Sequence, residues 1–134
     1  MIIKTLDGYE KKWNFNKSRD SLERSNLHLE VRGFLKSEFP TVYFLEEIQI
    51  PVKKNKYLYL DFYLPIYNIA IESDGEQHEK KSSYFHKNPF DFIKQKINDR
   101  AKNSWCELNN IRLIRLKYDE SYEQWMNKFK YEKN

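Results

Sequence analysis

Three acidic residues stand where apolar side chains are expected. Asp61 interrupts the run Leu60-Asp61-Phe62-Tyr63-Leu64-Pro65, and Glu72 and Asp74 interrupt the end of Ile71-Glu72-Ser73-Asp74-Gly75-Glu76-Gln77-His78. Ionisable groups in strands lose hydration, which is costly unless something compensates. Alternation places Glu72 and Asp74 on one face of their strand, and an adjacent strand can bring Asp61 close to them. Clustered carboxylates repel, and a bound divalent cation is the natural compensation. An oxygen-only donor set favours Mg²⁺ or Mn²⁺ over zinc. Solvated acids near strand ends would show the same spacing, so spacing alone leaves both readings open.

The elements that must position these residues follow from periodicity. Residues 1–16 read as a hairpin, because Asp7-Gly8 separates two alternating runs and both residues tolerate a two-residue turn. A helix capped at Ser18 or Ser21 is expected to end before Pro40, with Leu27, Val31, Phe34 and Leu35 as its apolar stripe. Strands are expected over residues 42–50, closed by Pro51, then 57–64 and 68–73. Ile69-Ala70-Ile71 reads as buried on both faces. Residues 79–89 read as a loop. A helix over 90–108 would bury Ile93, Ile97, Ala101, Trp105 and Leu108, and Asn109-Asn110 would end it. A strand over 111–116 and a last helix over 121–131, packing through Trp125 and Phe129, complete the order.

Composition narrows the class. The chain has 134 residues, enough for one domain over 1–134, divided into the hairpin, a core over 18–118 and a C-terminal helical segment over 119–134. It is 40% hydrophobic and 16% aromatic, sufficient for a core despite a mean hydropathy of -0.91. No apolar run approaches the about 20 residues of a membrane span, and no signal pattern opens the chain. No membrane partner is therefore expected. The lone Cys106 excludes an internal disulfide or cysteine-based zinc cluster and suits a reducing cytoplasm. A net charge of +4 is compatible with a polyanionic partner without requiring one.

The ordered segments say more than their spacing. The Asp61 strand, residues 71–78, Asn98-Asp99-Arg100-Ala101-Lys102 and Asn110-Ile111-Arg112-Leu113-Ile114-Arg115 together resemble the PD-(D/E)XK nuclease superfamily. The similarity is to the branch near very-short-patch repair endonucleases and the phage homing endonucleases called EDxHD. It spans roughly residues 25–118 and is most specific at 71–78, with Asp61 before and Asp99 after. The resemblance implies an α/β fold with a mixed central sheet flanked by helices, of the restriction-endonuclease type. It implies Asp61 as the principal metal ligand, with Glu72 or Asp74 completing the site around Mg²⁺ or Mn²⁺. His78 would act on the attacking or metal-bound water. Glu30 and Asp99 would orient water, metal or His78 from the flanking helices. The superfamily places a lysine two residues after the second acid, but Asp74 stands there. That departure favours the histidine-bearing branch and leaves Lys102 as a candidate source of positive charge.

Phosphodiester hydrolysis needs an activated water, relief of charge on the transition state, and protonation of the leaving oxygen. A divalent ion supplies the first two. Histidine, with a reference pKa of about 6.5, exchanges a proton near neutrality. Alternatives remain for each residue: His78 as a turn histidine, Glu30 as a stripe-edge surface acid, Asp99 and Lys102 as a solvated i,i+3 pair. Lys80, Lys81, His86, Lys87, Lys94 and Lys96, interleaved with Tyr84, Phe85 and Phe90, could line a DNA groove or a solvated loop. His28 has no partner pattern.

The expectation is a metal-dependent DNA endonuclease of phage or mobile-element origin, working in the cytoplasm of a bacterial or phage-infected cell. Cutting both strands would be easiest for a homodimer. The rivals are a nuclease reading junctions or mismatches, a catalytically silent nuclease-fold subunit that binds DNA or protein, and a small structural phage protein.

Overall fold

Apolar residues from four segments assemble one mixed sheet. The computed structural model describes residues 1–15, 24–75 and 89–130. Strands β1 (Ile2–Lys4) and β2 (Glu10–Lys12) form an antiparallel hairpin. Helix α1 (Asn26–Glu38) precedes β3 (Leu45–Lys53), β4 (Lys56–Leu64) and β5 (Ile69–Asp74). Helix α2 (Pro89–Leu108), strand β6 (Arg112–Lys117) and helix α3 (Tyr122–Lys128) follow. The sheet order is β3-β4-β5-β6; β5 and β6 are parallel and the other neighbours antiparallel. A parallel pair needs a crossover, and α2 lies within it. The expected α/β class with a mixed central sheet, flanking helices and an N-terminal hairpin is what the chain adopts.

The two sheet faces carry different cores. On one, Val31, Phe34 and Leu35 of α1 and Trp125 of α3 meet Phe62, Leu64, Ile69, Ile71, Ile114 and Leu116. On the other, Trp105 and Cys106 of α2 and Ile3 and Trp13 of the hairpin segment meet Ile48, Ile50, Val52, Leu60, Tyr63 and Ala70. The hairpin is thus part of a core rather than a decoration on it.

Several boundaries differ from expectation for identifiable reasons. Pro51 does not close β3; it lies within it, opposite Tyr57, as an edge strand allows. The hairpin connection is longer than Asp7-Gly8. Thr5 Oγ1 donates to Asp7 Oδ1 at 2.6 Å and accepts from the Tyr9 N–H at 2.9 Å, holding the wider loop. Ser25 caps α1, accepting from the His28 N–H at 3.0 Å; Ser18 and Ser21 lie outside the described residues. Asn110, in the left-handed region at φ 58°, does end α2, and the Ile111 N–H returns to the Cys106 carbonyl at 2.8 Å.

The α2 stripe is the largest correction. Trp105 is buried as expected, but Ile93 and Ile97 are 53% and 52% exposed, and Leu108 is exposed too. Lys102 and Asp99 of α2 bond Glu72 and Arg115 of the sheet, and Trp105 and Cys106 pack into the core, so Ile93 and Ile97 lie on the opposite face of the helix.

Helix α3 starts behind a capping box in which Ser121 and Gln124 satisfy each other's backbone N–H groups. Its anchor is Trp125, 1% exposed, whose Nε1–H donates to the Lys117 carbonyl at 3.1 Å. Trp125→Ala is expected to cost about 3–5 kcal/mol of unfolding free energy, measured by urea denaturation. A loss under about 1 kcal/mol would show that α3 is not part of the cooperative core.

Candidate functional site

The site begins at a fault in the sheet. Leu58 and Leu60 pack with the α2-side core, whereas Phe62 and Leu64 pack with the α1-side core. Strand alternation alone would keep all four on one face. The switch falls at Asp61. On the facing strand it falls at Glu47, which lies between the pairs Glu46–Phe62 and Ile48–Leu60. Glu47 has φ 47°, a left-handed conformation uncommon for a residue with a Cβ.

On the other side of Asp61, backbone pairing between β4 and β5 runs from Leu64 and Ile69 only to Phe62 and Ile71. Side chains satisfy the next backbone groups. The Asp61 N–H donates to Glu72 Oε2 at 2.8 Å. The Ser73 N–H and Oγ–H both donate to Asp61 Oδ2, at 2.8 and 2.9 Å. These charge-assisted bonds are stronger than the ladder bonds they replace, and they fix both carboxylates at the opening between the strands.

From α2, Lys102 Nζ donates to Glu72 Oε1. Glu72 is buried, and burial followed by the negative charge of Asp61 pushes its pKa up to about 7; Lys102 and the Asp61 N–H act in the opposite direction. Burial disfavours the charge on Lys102, but Glu72, Asp61 and Asp99 together raise its pKa. The group holds two carboxylates against one ammonium, and the excess negative charge keeps a proton close to Glu72.

From α1, His28 approaches the same rung. Its Nδ1 is 3.9 Å from Asp61 Oδ1, and its Nε2 is 3.1 Å from Glu46 Oε1. The ring stacks on Phe62 with centroids 4.5 Å apart. Burial lowers the His28 pKa against the pull of Glu46, favouring the neutral ring. Burial also opposes the charge on Glu46, but hydrogen bonds from Arg32, at 2.8 Å, and from His28 hold its pKa below the usual carboxylate range. Ligand atoms of His28, Glu47 and Asp61 all lie within 4.8 Å of one another.

The sequence-predicted residues therefore separate. Asp61, Glu72 and Lys102 meet. Asp74, though on the same strand face as Glu72, pairs with Arg115 Nη1 at 3.1 Å rather than joining Asp61. Asp99 joins that second group: its carbonyl accepts from Arg115 Nη2 at 3.2 Å, and its carboxylate is 4.0 Å from Nη1. The α2 face bearing Asp99 and Lys102 is turned to the sheet, not to solvent. Glu30 is exposed on α1, and the helix residue that reaches Asp61 is His28. Lys94 is exposed on α2. His78, Lys80, Lys81, Tyr84, Phe85, His86 and Lys87 lie outside the described residues.

His28 and Glu47 were missed. The available signal was the pair Glu46-Glu47, which breaks apolar alternation in β3 as Asp61 does in β4.

Over 61 residues the chain is 38% identical to Uncharacterized protein 307L of Invertebrate iridescent virus 6. The match covers 46% of this chain and 31% of that protein, so the chain spans less than a third of the relative's length. No family model and no solved structure matches the chain. No helix among the described residues is long and apolar enough to cross a membrane.

The raised Glu72 pKa has a signed consequence. An acid whose folded pKa, about 7, exceeds its unfolded value, near 4.5, contributes stability that is present below about pH 4.5 and lost as pH rises through about 7. In metal-free buffer, melting temperature is expected to fall between about pH 5 and pH 8, with a shallower fall in Glu72→Gln. Equal slopes in thermal melts of the two proteins would assign the loss to another group.

Proposed function

We propose that the chain is a metal-dependent DNA endonuclease that hydrolyses phosphodiester bonds, of the PD-(D/E)XK kind its motifs resemble. The observation that carries this reading is the Asp61–Glu72–Lys102 group, where two carboxylates converge on an interrupted rung with one ammonium. The donor set suits a hard cation: Asp61 and Glu72 offer carboxylate oxygens, and water would complete the shell around Mg²⁺ or Mn²⁺. Asp74 does not fit as a third ligand, because Arg115 already compensates its charge. A bound divalent ion would supply an activated water and polarise the scissile phosphate.

The chain's own groups do the rest. Lys102 holds Glu72 in orientation and sets positive charge beside the carboxylates, where a phosphate oxygen gains charge during reaction. It stands in from α2 for the lysine that the motif lacks at Asp74. Lys96, Arg100, Arg115 and Lys117 line, with Asp74 and Asp99, a cleft of 420 Å³. Asp74 is two residues from Glu72, about 7 Å along the strand. A DNA backbone laid in this cleft would bring a phosphate toward Glu72, and affinity would fall with salt as counterions are released. His78 is the proton carrier in this reading, and Glu30 has no role in it.

On supercoiled plasmid with Mg²⁺ the protein is expected to cut, and EDTA to stop it. Asp61→Asn should lower cleavage by at least ~100-fold, about 2.7 kcal/mol in barrier, while DNA affinity measured by anisotropy changes little. Lys102→Met and His78→Ala should each slow cleavage more than they weaken binding. Undiminished cutting by Asp61→Asn would remove this site assignment. Binding without cutting, in either Mg²⁺ or Mn²⁺, would favour a silent DNA-binding subunit. Comparing linear, nicked, mismatched and four-way substrates separates a junction or mismatch nuclease from a duplex cutter.

A further inference from the structure

We infer that His28, Glu47 and Asp61 form a second cation site, on the α1 side of the sheet, that takes a first-row transition ion through one imidazole nitrogen and two carboxylates. It goes beyond the nuclease reading and shares only Asp61 with it.

The geometry begins with the tautomer. Glu46 Oε1 accepts from Arg32 Nε at 2.8 Å and lies 3.0 Å from Arg24 Nη1, so it is a charged acceptor. Its 3.1 Å contact with His28 Nε2 therefore needs the proton on Nε2. In the neutral ring Nδ1 is then a bare lone pair. The His28 side chain is only 5% exposed, and among the described residues Nδ1 has no hydrogen bond. It faces Asp61 Oδ1 at 3.9 Å, too far for a hydrogen bond. Two donors on one tetrahedral ion at about 2.0–2.2 Å stand about 3.3–3.6 Å apart, so Nδ1 and Oδ1 need to close by only a few tenths of an ångström to share a metal.

The Asp61 carboxylate is arranged for the same purpose. Ser73 occupies Oδ2 twice, which leaves Oδ1 to turn toward α1. Glu47 completes the group, its ligand oxygen within 4.8 Å of the other two. A carboxylate that accepts the distal N–H of a ligating histidine is the usual support of a metal-bound imidazole, and Glu46 stands in that place. An imidazole donor shifts preference away from Mg²⁺ toward ions such as Co²⁺ and Zn²⁺.

The test uses the full chain and does not depend on cleavage. Titration with Co²⁺ in Mg²⁺-free buffer, followed by its visible absorption, is expected to show an ion bound through His28. His28→Gln and Glu47→Gln should each weaken Co²⁺ binding by at least ~10-fold, with Mg²⁺ binding changed by less than about threefold. Should either variant fail to fold, the unaltered chain still decides. With ¹⁵N-labelled histidine, Zn²⁺ should shift the His28 Nδ1 resonance while Nε2 keeps its proton. Unchanged Co²⁺ binding in both variants, or an unmoved Nδ1 resonance, would overturn the site. Plasmid cutting in Mg²⁺ with His28 silent toward Zn²⁺ sinks this inference alone. Ion binding through His28 without any cutting sinks only the nuclease reading.

Discussion

A single rung of the sheet organises the functional half of this molecule. At Asp61 the β4–β5 ladder gives way to bonds from backbone N–H groups to carboxylate oxygens. A buried N–H left unpaired costs about 1–3 kcal/mol, so the strands can part here only because Asp61 and Glu72 take over the acceptor role. The exchange has a consequence for charge. Carbonyl oxygens would have satisfied the same donors without bringing net negative charge to the sheet interior. Carboxylates bring that charge, and the structure around them answers it.

The answer is uneven. Glu46 has Arg24 and Arg32 on one oxygen, with the His28 ring as a third contact. Asp74 and Asp99 are gathered by Arg115, whose guanidinium also bonds Asn103 at 2.7 Å. Around Asp61 and Glu72 the cationic partner is Lys102. A guanidinium keeps its charge and its plane, whereas a lysine is a point charge on a flexible stem. The outer carboxylates are thus compensated by arginines, and the central group keeps the negative charge that a cation would relieve. Buried carboxylates in a stable fold must find that relief in protons or ions, and burial together with the charge of Asp61 raises the Glu72 pKa to about 7.

What the sequence made legible was whatever repeats. The stripe of Val31, Phe34 and Leu35, the strands around Phe62 and Ile71, and Trp125 all announce their period, and all are buried. Asp61 and Glu72 were legible for the opposite reason, because each breaks a period. Periodicity does not say that the face of α2 bearing Asp99 and Lys102 would meet the sheet, so the exposure of Ile93 and Ile97 stayed hidden. It also cannot decide between two polar residues that both border an apolar stripe. Glu30 lies beside Leu27 and Phe34 by helical spacing, and His28 beside Val31 and Leu35. Only the side from which α1 meets the sheet separates them. Asp74 failed for a third reason. Its strand face was read correctly, but its partner came from β6, forty-one residues later in the chain.

Two helices reach the Asp61 rung from opposite faces, and the chemistry they bring differs in kind. Through α2 comes an ammonium, which can pair with anions but cannot bind a metal while protonated. Through α1 comes a neutral imidazole, which can bind a metal but adds no charge. The fault in the strands makes this division workable. Because β3 and β4 both change face at Glu47 and Asp61, the carboxylates there escape the strict alternation that would commit them to one side. A regular sheet would have sealed the α1 side from the α2 side with side chains assigned to each. Here one carboxylate, Asp61, contacts β5 through Oδ2 and faces α1 through Oδ1, so a change of charge on either face is felt at the other through a single group.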